Sequence, residues 1–411
     1  MHFIYNIGIY LYTLGVRMAT PFSPKAKYWV DGRRDVFNKL ASWRAQHTTD
    51  DVIWMHCASL GEFEQGRPVL EALRNKYPDK KLVLTFFSPS GYEVRKNYAG
   101  ADHICYLPSD TPANANRFLS ILRPKAALII KYEYWANYFF ECRKQHVPLF
   151  IVSGILRKEQ RFFRSMNAFW KKVLDCVTHF FVQNTETQQL LASIGYTNVT
   201  VAGDSRFDRV VDIAQHAKVF DDIQTFKSGS FCIIIGSSWP QEEQMIRSWM
   251  NANSHCKLIL VPHEIDDDHI SSIQKLYPQA VRWTQRSNSD LATSQVLILD
   301  TIGMLSSIYR YGDVAMIGGG FGKGIHNTLE AAVWNIPVLF GPKIDKFEEA
   351  KQLVKIKGGF VFQTIDELHQ LLNHFRDNRK ERLAAGERAG QYVKNSTGAT
   401  TLVLQHLSSY L

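Results

Sequence analysis

"DVIWMHCASLGEFEQGRPVLEALR", residues 51–74, is a short apolar run followed directly by a helical pattern. The same alternation continues through "KLVLTFF", "HICYL", "AALIIK", "PLFIVSG", "THFFVQN" and "NVTVAG", most of which precede a helical pattern. Strands that are apolar on both faces and are separated by helices form a parallel sheet that is covered on both sides. We therefore predict a doubly wound, Rossmann-like α/β domain over residues 31–211.

A polar stretch, residues 212–230, interrupts this rhythm and is predicted to be a linker. The alternation then resumes with "FCIIIG", "CKLILVP", "QVLILD", "DVAMIGG" and "IPVLFG", which predicts a second Rossmann-like domain over residues 231–390. Residues 391–411 are predicted to form a helix that packs back on the first domain. Two such domains face a central cleft, and ligands of these sheets bind beyond the carboxyl ends of the strands.

The composition narrows the class of partner. The chain has 48 Lys and Arg against 39 Asp and Glu, a net charge of +9, which favours phosphates or an acidic lipid surface. Zinc-finger spacings and aromatic-glycine RNA-binding signatures are absent from the sequence, so nucleic acid is not expected as a partner. Six scattered cysteines without a C-x-x-C pair indicate reduced core residues of a cytosolic protein.

"FIYNIGIYLYTLGVRMATPF", residues 3–22, is apolar and aromatic, and its basic residues follow it, unlike those of a signal peptide. Its length suits a bilayer span, but Arg17 and the aromatic residues favour an interfacial helix. We predict a membrane-associated segment over residues 1–30. The alternative is an amphipathic helix that docks on its own domain.

"GGGFGKGIHNTLEAA", residues 318–332, joins a predicted strand to a helix, and its glycines, including Gly320 and Gly324, allow close backbone approach. A helix start offers N–H groups to an anion such as a phosphate. The spacing matches neither a P-loop nor a dinucleotide fingerprint. Asn327 and Glu330 form either a capping box or a ribose-binding site in which Glu330 accepts hydroxyl groups.

Two glutamates follow predicted strands of the first domain. Ser59-Leu60-Gly61-Glu62 is either a capping box or the start of a helix that carries a catalytic base. A helix start lowers the pKa of Glu62 and weakens it as a base unless burial opposes the shift. Glu133 is either a polar residue at the rim of an aromatic core or a partner of Glu62 in acid–base chemistry.

In the second domain, Ser237 and Ser238 follow a strand as phosphate donors or as helix caps, and His263 ends another strand. The acidic residues that follow His263 are of types that bind metal ions. Consecutive acids at a helix start point in different directions and favour interaction with the helix dipole, so we predict no metal site.

Taken together, these stretches resemble the 3-deoxy-D-manno-octulosonic acid (Kdo) transferases nearly from end to end. The order and spacing of the motifs, more than any single one, carry the resemblance. They are "ASLGEFEQGRPVLEALR", "TFFSPSGYE", "YLPSDTPANANRFL", "EYWANYF", "FVQNTETQQLLASIGYTNVTVAGDSRFD", "GSSWPQEEQ" and "DVAMIGGGFGKGIHNTLEAAVWNIPVLFGP".

The resemblance implies a GT-B glycosyltransferase without a cofactor, which moves Kdo from CMP-Kdo to the lipid A precursor lipid IVA at the cytoplasmic side of the inner membrane. It implies Glu62 as general base and Glu133 as a second catalytic residue. The other implied site residues are, for the acceptor, Ser59, Gly61, Ser88 and Ser90, and, for the donor, Arg206, Ser237, Ser238, His263, Gly303, Met304, Gly320, Gly324, Asn327 and Glu330.

Two departures from the family pattern stand out. The family often has V-P-R-H where this chain has Val261-Pro262-His263, so His263 or Lys323 is expected to offset the phosphate charge. Where many members have N-A-R, this chain has residues 153–155 as Ser-Gly-Ile. The alternatives are another GT-B enzyme, either a UDP- or GDP-sugar transferase or a nucleotide-sugar epimerase, and a membrane-associated binding protein that has lost catalysis.

Overall fold

The structure is a computed structural model that describes residues 1–163, 168–288 and 290–411. Two compact units divide the chain. The first unit comprises Met1–Asp208 and Thr397–Leu411, and the second comprises Arg209–Ser396. The second unit is therefore inserted between the main part of the first unit and its C-terminal segment.

The first unit has one parallel sheet with helices along the chain between its strands. Its strands are β1 (Val52–Cys57), β2 (Lys81–Phe86), β3 (His103–Tyr106), β4 (Ala126–Ile130), β5 (Leu149–Gly154), β6 (His179–Val182) and β7 (Val199–Val201). Its helices are α1 (His2–Met18), α2 (Pro24–Asp31), α3 (Val36–Gln46), α4 (Leu60–Lys76), α5 (Pro89–Arg95), α6 (Pro112–Leu122), α7 (Ala136–Lys144), α8 (Ala168–Leu174) and α9 (Thr185–Ser193). A short 3₁₀ helix spans Arg161–Phe163. The strand order is β3-β2-β1-β4-β5-β6-β7.

The second unit repeats this architecture. Helix α10 (Arg206–Gln215) contains the boundary, and α11 (Asp221–Lys227) follows it. The strands are β8 (Cys232–Ser238), β9 (Lys257–Pro262), β10 (Val281–Arg282), β11 (Val296–Ile298), β12 (Val314–Ile317), β13 (Val338–Phe340) and β14 (Gly359–Val361). The remaining helices of this unit are α12 (Pro240–Ala252), α13 (Asp267–Leu276), α14 (Leu305–Ile308), α15 (Leu329–Ala332), α16 (Glu348–Lys355), α17 (Ile365–Asp377) and α18 (Arg379–Asn395), with 3₁₀ turns at Trp283–Asn288 and Tyr309–Tyr311. The last helix, α19 (Ala399–Leu407), returns to the first unit. The strand order is β10-β11-β9-β8-β12-β13-β14.

The predicted α/β class is confirmed in both units, since the described strands form two seven-stranded parallel sheets. Strands such as β1 and β4 are buried along their whole length, which explains why they lack a polar face in the sequence. In each sheet the chain completes one side of the sheet first and then builds the other side. The reversals lie between β1 and β4 and between β8 and β12, and such switch points are where ligands of these folds bind.

Residues 212–230, predicted as a linker, include the end of α10 and all of α11. Helix α11 buries Ile223 and Phe226, so this polar stretch has an apolar face that packs within the second unit. At the C-terminus, α19 belongs to the first unit, where Val403 and Leu407 join the core beside α4.

The N-terminal helix α1 bares most of its apolar surface. All of its residues are described, and none is fully buried. Its exposed large side chains are Phe3, Ile4, Ile7, Tyr10, Leu11, Tyr12, Leu14 and Met18. A search of the described helices finds none that is both long enough and apolar enough to cross a membrane. Membrane association of residues 1–30 stays a prediction.

Candidate active site

Glu62 and Glu133 lie at the switch point of the first sheet. β1 and β4 pair in parallel with His56 beside Ile129, so the segments that follow them leave the same edge. Glu62 lies in the first turn of α4, after β1, and Glu133 lies in the loop between β4 and α7. The charge of Glu62 is one cause of the raised pKa of Glu133. The structure therefore brings the two predicted carboxylates together.

The predicted capping box at the start of α4 is not formed. Ser59 occupies the N-cap position, but its side chain makes no hydrogen bond to the helix backbone in the described part of the chain. Its Oγ donates instead to the Glu62 carboxylate. The capping interpretation is therefore wrong for Ser59, whose hydroxyl orients Glu62.

Glu133 is a half-buried carboxyl with an altered affinity for protons. Burial, and then the negative charge of Glu62, raise its pKa from 4.5 to about 7. A group that titrates near neutral pH is able to give or take a proton in the physiological range. This pair thus combines one carboxylate held by a serine with one that exchanges a proton readily.

A buried hydrogen-bond chain holds the loop that carries Glu133. The indole Nε1–H of Trp135 donates to Nε2 of His56 at 3.2 Å. Because tryptophan is only a donor, the His56 proton belongs on Nδ1, which lies 2.9 Å from Oγ1 of Thr85. Burial lowers the pKa of His56 to about 3, so the imidazole is neutral. Sequence reasoning missed His56, although a histidine inside an apolar strand was the available signal.

The residues predicted to bind the acceptor surround the same edge. The backbone N–H of Ser88 donates to the carbonyl of Ala58 at 2.7 Å, which joins the loops after β1 and β2. Ser88 caps α5 by accepting the N–H of Ser90, and the two hydroxyl oxygens are 2.8 Å apart. Gly61 is exposed in the first turn of α4. Their roles toward an acceptor stay predictions.

Arg206 lies at the end of the first unit, apart in the chain from the other predicted donor residues. Its guanidinium contacts Asp204 through Nε at 2.9 Å and through a terminal nitrogen at 2.7 Å. Although burial alone raises the pKa of Asp204, the Arg206 charge lowers it below its usual range. Arg206 is thus already engaged in an ion pair.

In the second unit, a cavity of about 660 Å³ lies at the switch point between β8 and β12. The loops after β8, β9 and β12 supply its walls. The side chains and backbone that line the cavity include Trp239, Glu242, His263, Gly319, Lys323 and His326. The predicted His263, Gly320 and Gly324 lie in or beside this wall, and Ser237 and Ser238 end β8.

Close backbone packing explains much of the glycine density after β12. A Cβ atom on Gly318 would lie 2.0 Å from the carbonyl oxygen of Ser237, and one on Gly320 would lie 2.6 Å from backbone atoms of Gly341. Gly319 and Gly324 have φ angles of +89° and +130°, which favour glycine. These glycines are required by the loop itself, whether or not a phosphate binds there.

Two buried glutamates begin α12. The backbone N–H of Gly319 donates to Oε1 of Glu242 at 2.9 Å. The other oxygen of Glu242 is buried and has no hydrogen-bond partner among the described residues, and burial raises the pKa of this carboxyl. Ser238 is buried and donates to Oε1 of Glu243 at 2.7 Å, so its hydroxyl is engaged within the protein. Glu242 was not predicted as a site residue.

Three rings stack along one wall of the cavity. Trp239 stacks on His263 with centroids 4.9 Å apart, and His263 lies 4.3 Å from His326. The indole N–H of Trp239 donates to Nε2 of His326 at 3.2 Å. Burial, and then His263, lower the pKa of His326 to about 4, so this ring is neutral. His326 was likewise missed as a single residue, although it lies in the quoted stretch "GGGFGKGIHNTLEAA".

The predicted Asn327–Glu330 capping box also takes another form. Thr328, not Asn327, is the N-cap residue of α15. Asn327 donates from Nδ2 to Oε1 of Glu330 at 2.9 Å and accepts the N–H of Leu329 at 3.1 Å. Asn327 therefore fixes the carboxylate of Glu330 as Ser59 fixes that of Glu62.

The remaining predicted residues follow other strands. Gly303 has a φ angle of +90° and Met304 is buried at the start of α14, after β11. In the acidic run, Asp266 caps α13 by accepting the N–H of His269 at 3.0 Å. Over the described ranges, no group of three or more His, Cys, Asp or Glu side chains is arranged to hold a metal ion.

The chain is similar in sequence to named transferases. A family model described as "3-Deoxy-D-manno-octulosonic-acid transferase (kdotransferase)" matches residues 33–209. The 3-deoxy-D-manno-octulosonic acid transferase of Haemophilus influenzae is 25% identical over 374 residues, which cover 87% of each chain. The transferase of the same name from Aquifex aeolicus is 27% identical over 340 residues, covering 80% of this chain and 87% of the relative.

A solved structure supports the fold alone. The UDP-GlcNAc 2-epimerase of Neisseria meningitidis, bound to UDP-GlcNAc, superposes with a TM-score of 0.59 at 12% identity, covering 87% of this chain and 100% of that chain. This likeness and the two parallel sheets identify the GT-B-type α/β fold. The family model and the long alignments show that the chain is similar to the 3-deoxy-D-manno-octulosonic acid transferases.

Proposed function

We propose that the protein is an inverting glycosyltransferase that moves Kdo from CMP-Kdo to a lipid A precursor, lipid IVA. The single observation that carries the mechanism is the pair of carboxyl groups, Glu62 and Glu133, at the switch point of the first sheet. Similarity to the named 3-deoxy-D-manno-octulosonic acid transferases supports the class of donor. The pair supplies the acid–base chemistry that a sugar hydroxyl needs.

In the proposed reaction, Glu62 accepts the proton of an acceptor hydroxyl. The hydroxyl oxygen attacks the anomeric carbon of Kdo, and the bond from that carbon to the CMP phosphate breaks. CMP leaves with the bonding electron pair, and the configuration inverts. Ser59 orients Glu62 for this step through its hydrogen bond. Glu133, whose pKa is raised to about 7, holds a proton near neutral pH and donates it in a hydrogen bond to the bound acceptor.

The second unit is proposed to bind CMP-Kdo at the cavity beside the glycine loop. Glu330, fixed by Asn327, accepts the ribose hydroxyls, and backbone N–H groups of the loop face the phosphate. Lys323 is exposed on this wall and supplies a positive charge. The imidazole of His263 lines the same wall, and this chain has no arginine at the position where the family often has one.

The acceptor is a lipid, and we propose that α1 lies on the cytoplasmic surface of the inner membrane. The exposed apolar side chains of α1 and the net charge of +9 support contact with an anionic lipid surface. Leu11 is 62% exposed, which makes it a suitable probe. Leu11→Glu is expected to reduce co-sedimentation with phosphatidylglycerol–phosphatidylethanolamine vesicles, and unchanged sedimentation contradicts the membrane proposal.

The decisive experiment is a transfer assay with CMP-Kdo and tetraacylated lipid A precursor. Glu62→Gln is expected to lower kcat by about 10²–10⁴-fold, the usual effect of losing a general base, while the melting temperature stays near that of the parent. Glu64→Gln, a change of the same chemistry two residues further along α4, is the matched control and is expected to retain activity.

Two results would contradict the proposal. If the parent makes no product and binds UDP rather than CMP, the protein is another GT-B enzyme. If it binds CMP-Kdo, makes no product and binds equally well as Glu62→Gln, it is a binding protein.

A further inference from the structure

Helix α1 makes a set of polar contacts on the face opposite its exposed apolar side chains. The hydroxyl of Tyr5 donates to the carboxylate of Asp110 and accepts the backbone N–H of Ala136 at 3.3 Å. Nε2 of His2 lies 2.8 Å from Oδ1 of Asn137, whose Nδ2 donates to Oδ1 of Asn6 at 2.9 Å. Residues at positions i, i+3 and i+4 share one face of a helix, so a single turn of α1 makes all these contacts.

The contacts converge on the start of α7. Asp110 is buried, and its carboxylate accepts the backbone N–H groups of Asn137 at 3.2 Å and of Tyr138 at 3.1 Å. The side-chain amide of Asn137 also donates to the carbonyl oxygen of Asp110 at 2.6 Å. The N–H groups that begin α7 therefore find their acceptors in Asp110 and Tyr5. Both of these residues are far from α7 in the sequence.

The start of α7 is also the end of the loop that carries Glu133. Ala136, which donates to Tyr5, is the first residue of α7 and lies three positions after Glu133. Other contacts also hold this loop. The N–H of Lys131 donates to the carbonyl of Val152 at 2.8 Å, Trp135 donates to His56, and the ring of Tyr134 packs on Phe162 with centroids 4.6 Å apart. Burial, then Asp110, and last the charge of Glu133 raise the pKa of Tyr5, so Glu133 is within electrostatic reach of this hydroxyl.

We propose that Tyr5 and Asp110 are positioning residues for Glu133. Tyr5 ties α1 to Asp110 and Ala136, and Asp110 fixes the first turn of α7, so the two set the end point of the Glu133 loop. This inference rests on the proposed function, because it assigns a task to Glu133. Helix α1 thus exposes apolar side chains on one face and holds the loop that carries Glu133 with its other face.

The chain allows the hydroxyl to be removed alone. The ring of Tyr5 packs against Phe169 and Trp170, with centroids 5.5 and 5.9 Å away, and phenylalanine keeps these contacts. Tyr410 belongs to the same unit and is 37% exposed. Tyr410→Phe removes the same group at a surface position outside α1 and is the matched control.

The experiment uses the full-length protein and measures kcat and KM for CMP-Kdo and for the lipid acceptor. Tyr5→Phe is expected to lower kcat about tenfold, equivalent to about 1.4 kcal/mol in the activation free energy, with KM for CMP-Kdo within twofold of the parent. Tyr410→Phe is expected to match the parent. Hydrogen exchange at the Ala136 amide is expected to be faster in Tyr5→Phe alone.

The outcomes separate the positioning role from the proposed function. An active parent with kcat unchanged in Tyr5→Phe overturns the positioning role and leaves the function intact. If the parent protein transfers no Kdo, the proposed function is overturned. The structural link between α1 and α7 is then tested separately by hydrogen exchange, and it is overturned as well if the Ala136 amide exchanges at the parent rate in Tyr5→Phe. Should Tyr5→Phe melt below the assay temperature, Asp110→Asn replaces it. That variant keeps an oxygen for the α7 N–H groups and is expected to lower kcat in the same direction.

Discussion

The hydroxyl of Ser59 donates to the carboxylate of Glu62 and leaves the backbone N–H groups of α4 to other partners. An S-x-x-E spacing at a helix start usually signals mutual capping of side chains and backbone. Here the serine serves the carboxylate directly. Because the interaction is between side chains, its removal is expected to affect chemistry more than stability.

Ser59→Ala is therefore expected to lower kcat about 10- to 150-fold, on the basis of ~1.5–3 kcal/mol for a hydrogen bond to a charged group. Its melting temperature should stay close to that of the parent. Asn184→Ala is the control for stability, because Asn184 caps α9 by accepting the N–H of Thr187 at 2.9 Å. That change should cost about 0.5–2 kcal/mol of folding free energy and leave kcat unchanged. A lower melting temperature with normal kcat in Ser59→Ala would show that the serine is a cap.

Glu133 predicts a specific dependence of stability on pH. Its pKa is raised from 4.5 to about 7 by burial and by Glu62, so the folded state holds this proton more tightly than the unfolded chain. This group contributes a stability that is present below pH 4.5, falls as the pH rises and is lost above pH 7.

Glu133→Gln removes that dependence. The variant is expected to melt near the parent temperature at pH 4.5 and above it at pH 8, measured by scanning fluorimetry across this range. The gap should shrink in a Glu62→Gln background, since one of the two causes of the shift is then missing. A gap that stays constant with pH would indicate a packing effect in place of an ionisation.

Glu242 is expected to support nucleotide binding through the glycine loop. Glu242→Gln keeps an oxygen for the N–H of Gly319 and should bind CMP as the parent does. Glu242→Ala leaves that N–H without its acceptor, and a loss of ~1–3 kcal/mol corresponds to about 5- to 150-fold weaker CMP binding by calorimetry. Gln244→Ala, at an exposed position of α12, is the control. Equal CMP affinity in Glu242→Ala and the parent would rule out this role.

Two glycines of one loop should differ sharply in their tolerance of alanine. On Gly320 a Cβ atom would lie 2.6 Å from the backbone of Gly341, whereas on Gly322 the nearest atom is 3.6 Å away. Gly320→Ala is expected to lower the melting temperature by several degrees, because overpacking costs about 1–3 kcal/mol. Gly322→Ala is expected to leave the melting temperature within about one degree of the parent. Equal behaviour of the two variants would show that the loop yields without cost.

The sequence predicted the fold where the pattern is local. Buried strands such as β1 alternate with helices, and this alternation suffices for a doubly wound sheet. The pairing of Glu62 with Glu133 was anticipated because both follow strands whose carboxyl ends share an edge. Residues 212–230 are polar in sequence and gave no sign of the helix α11. This helix needs only Ile223 and Phe226 to form a buried face.

Other features had no local signal. The spacing of Ser59 and Glu62 suits both a cap and a side-chain pair, since the hydroxyl reaches either partner. Only the side-chain geometry decides between them. Tyr5 and Asp110 are 105 positions apart, and no periodicity relates two such residues before the chain is folded.

Helix α19 has a consequence for the order of biosynthesis. Its Val403 and Leu407 complete the core beside α4, and Asp208 accepts the N–H groups of Gly398 and Thr400. A ribosome adds these residues only after the whole inserted second unit. Domains otherwise tend to fold in sequence as they emerge. A nascent chain that has finished the second unit therefore still exposes apolar core residues of the first unit. Termination of translation within residues 397–411 would leave a product open to chaperones and proteases.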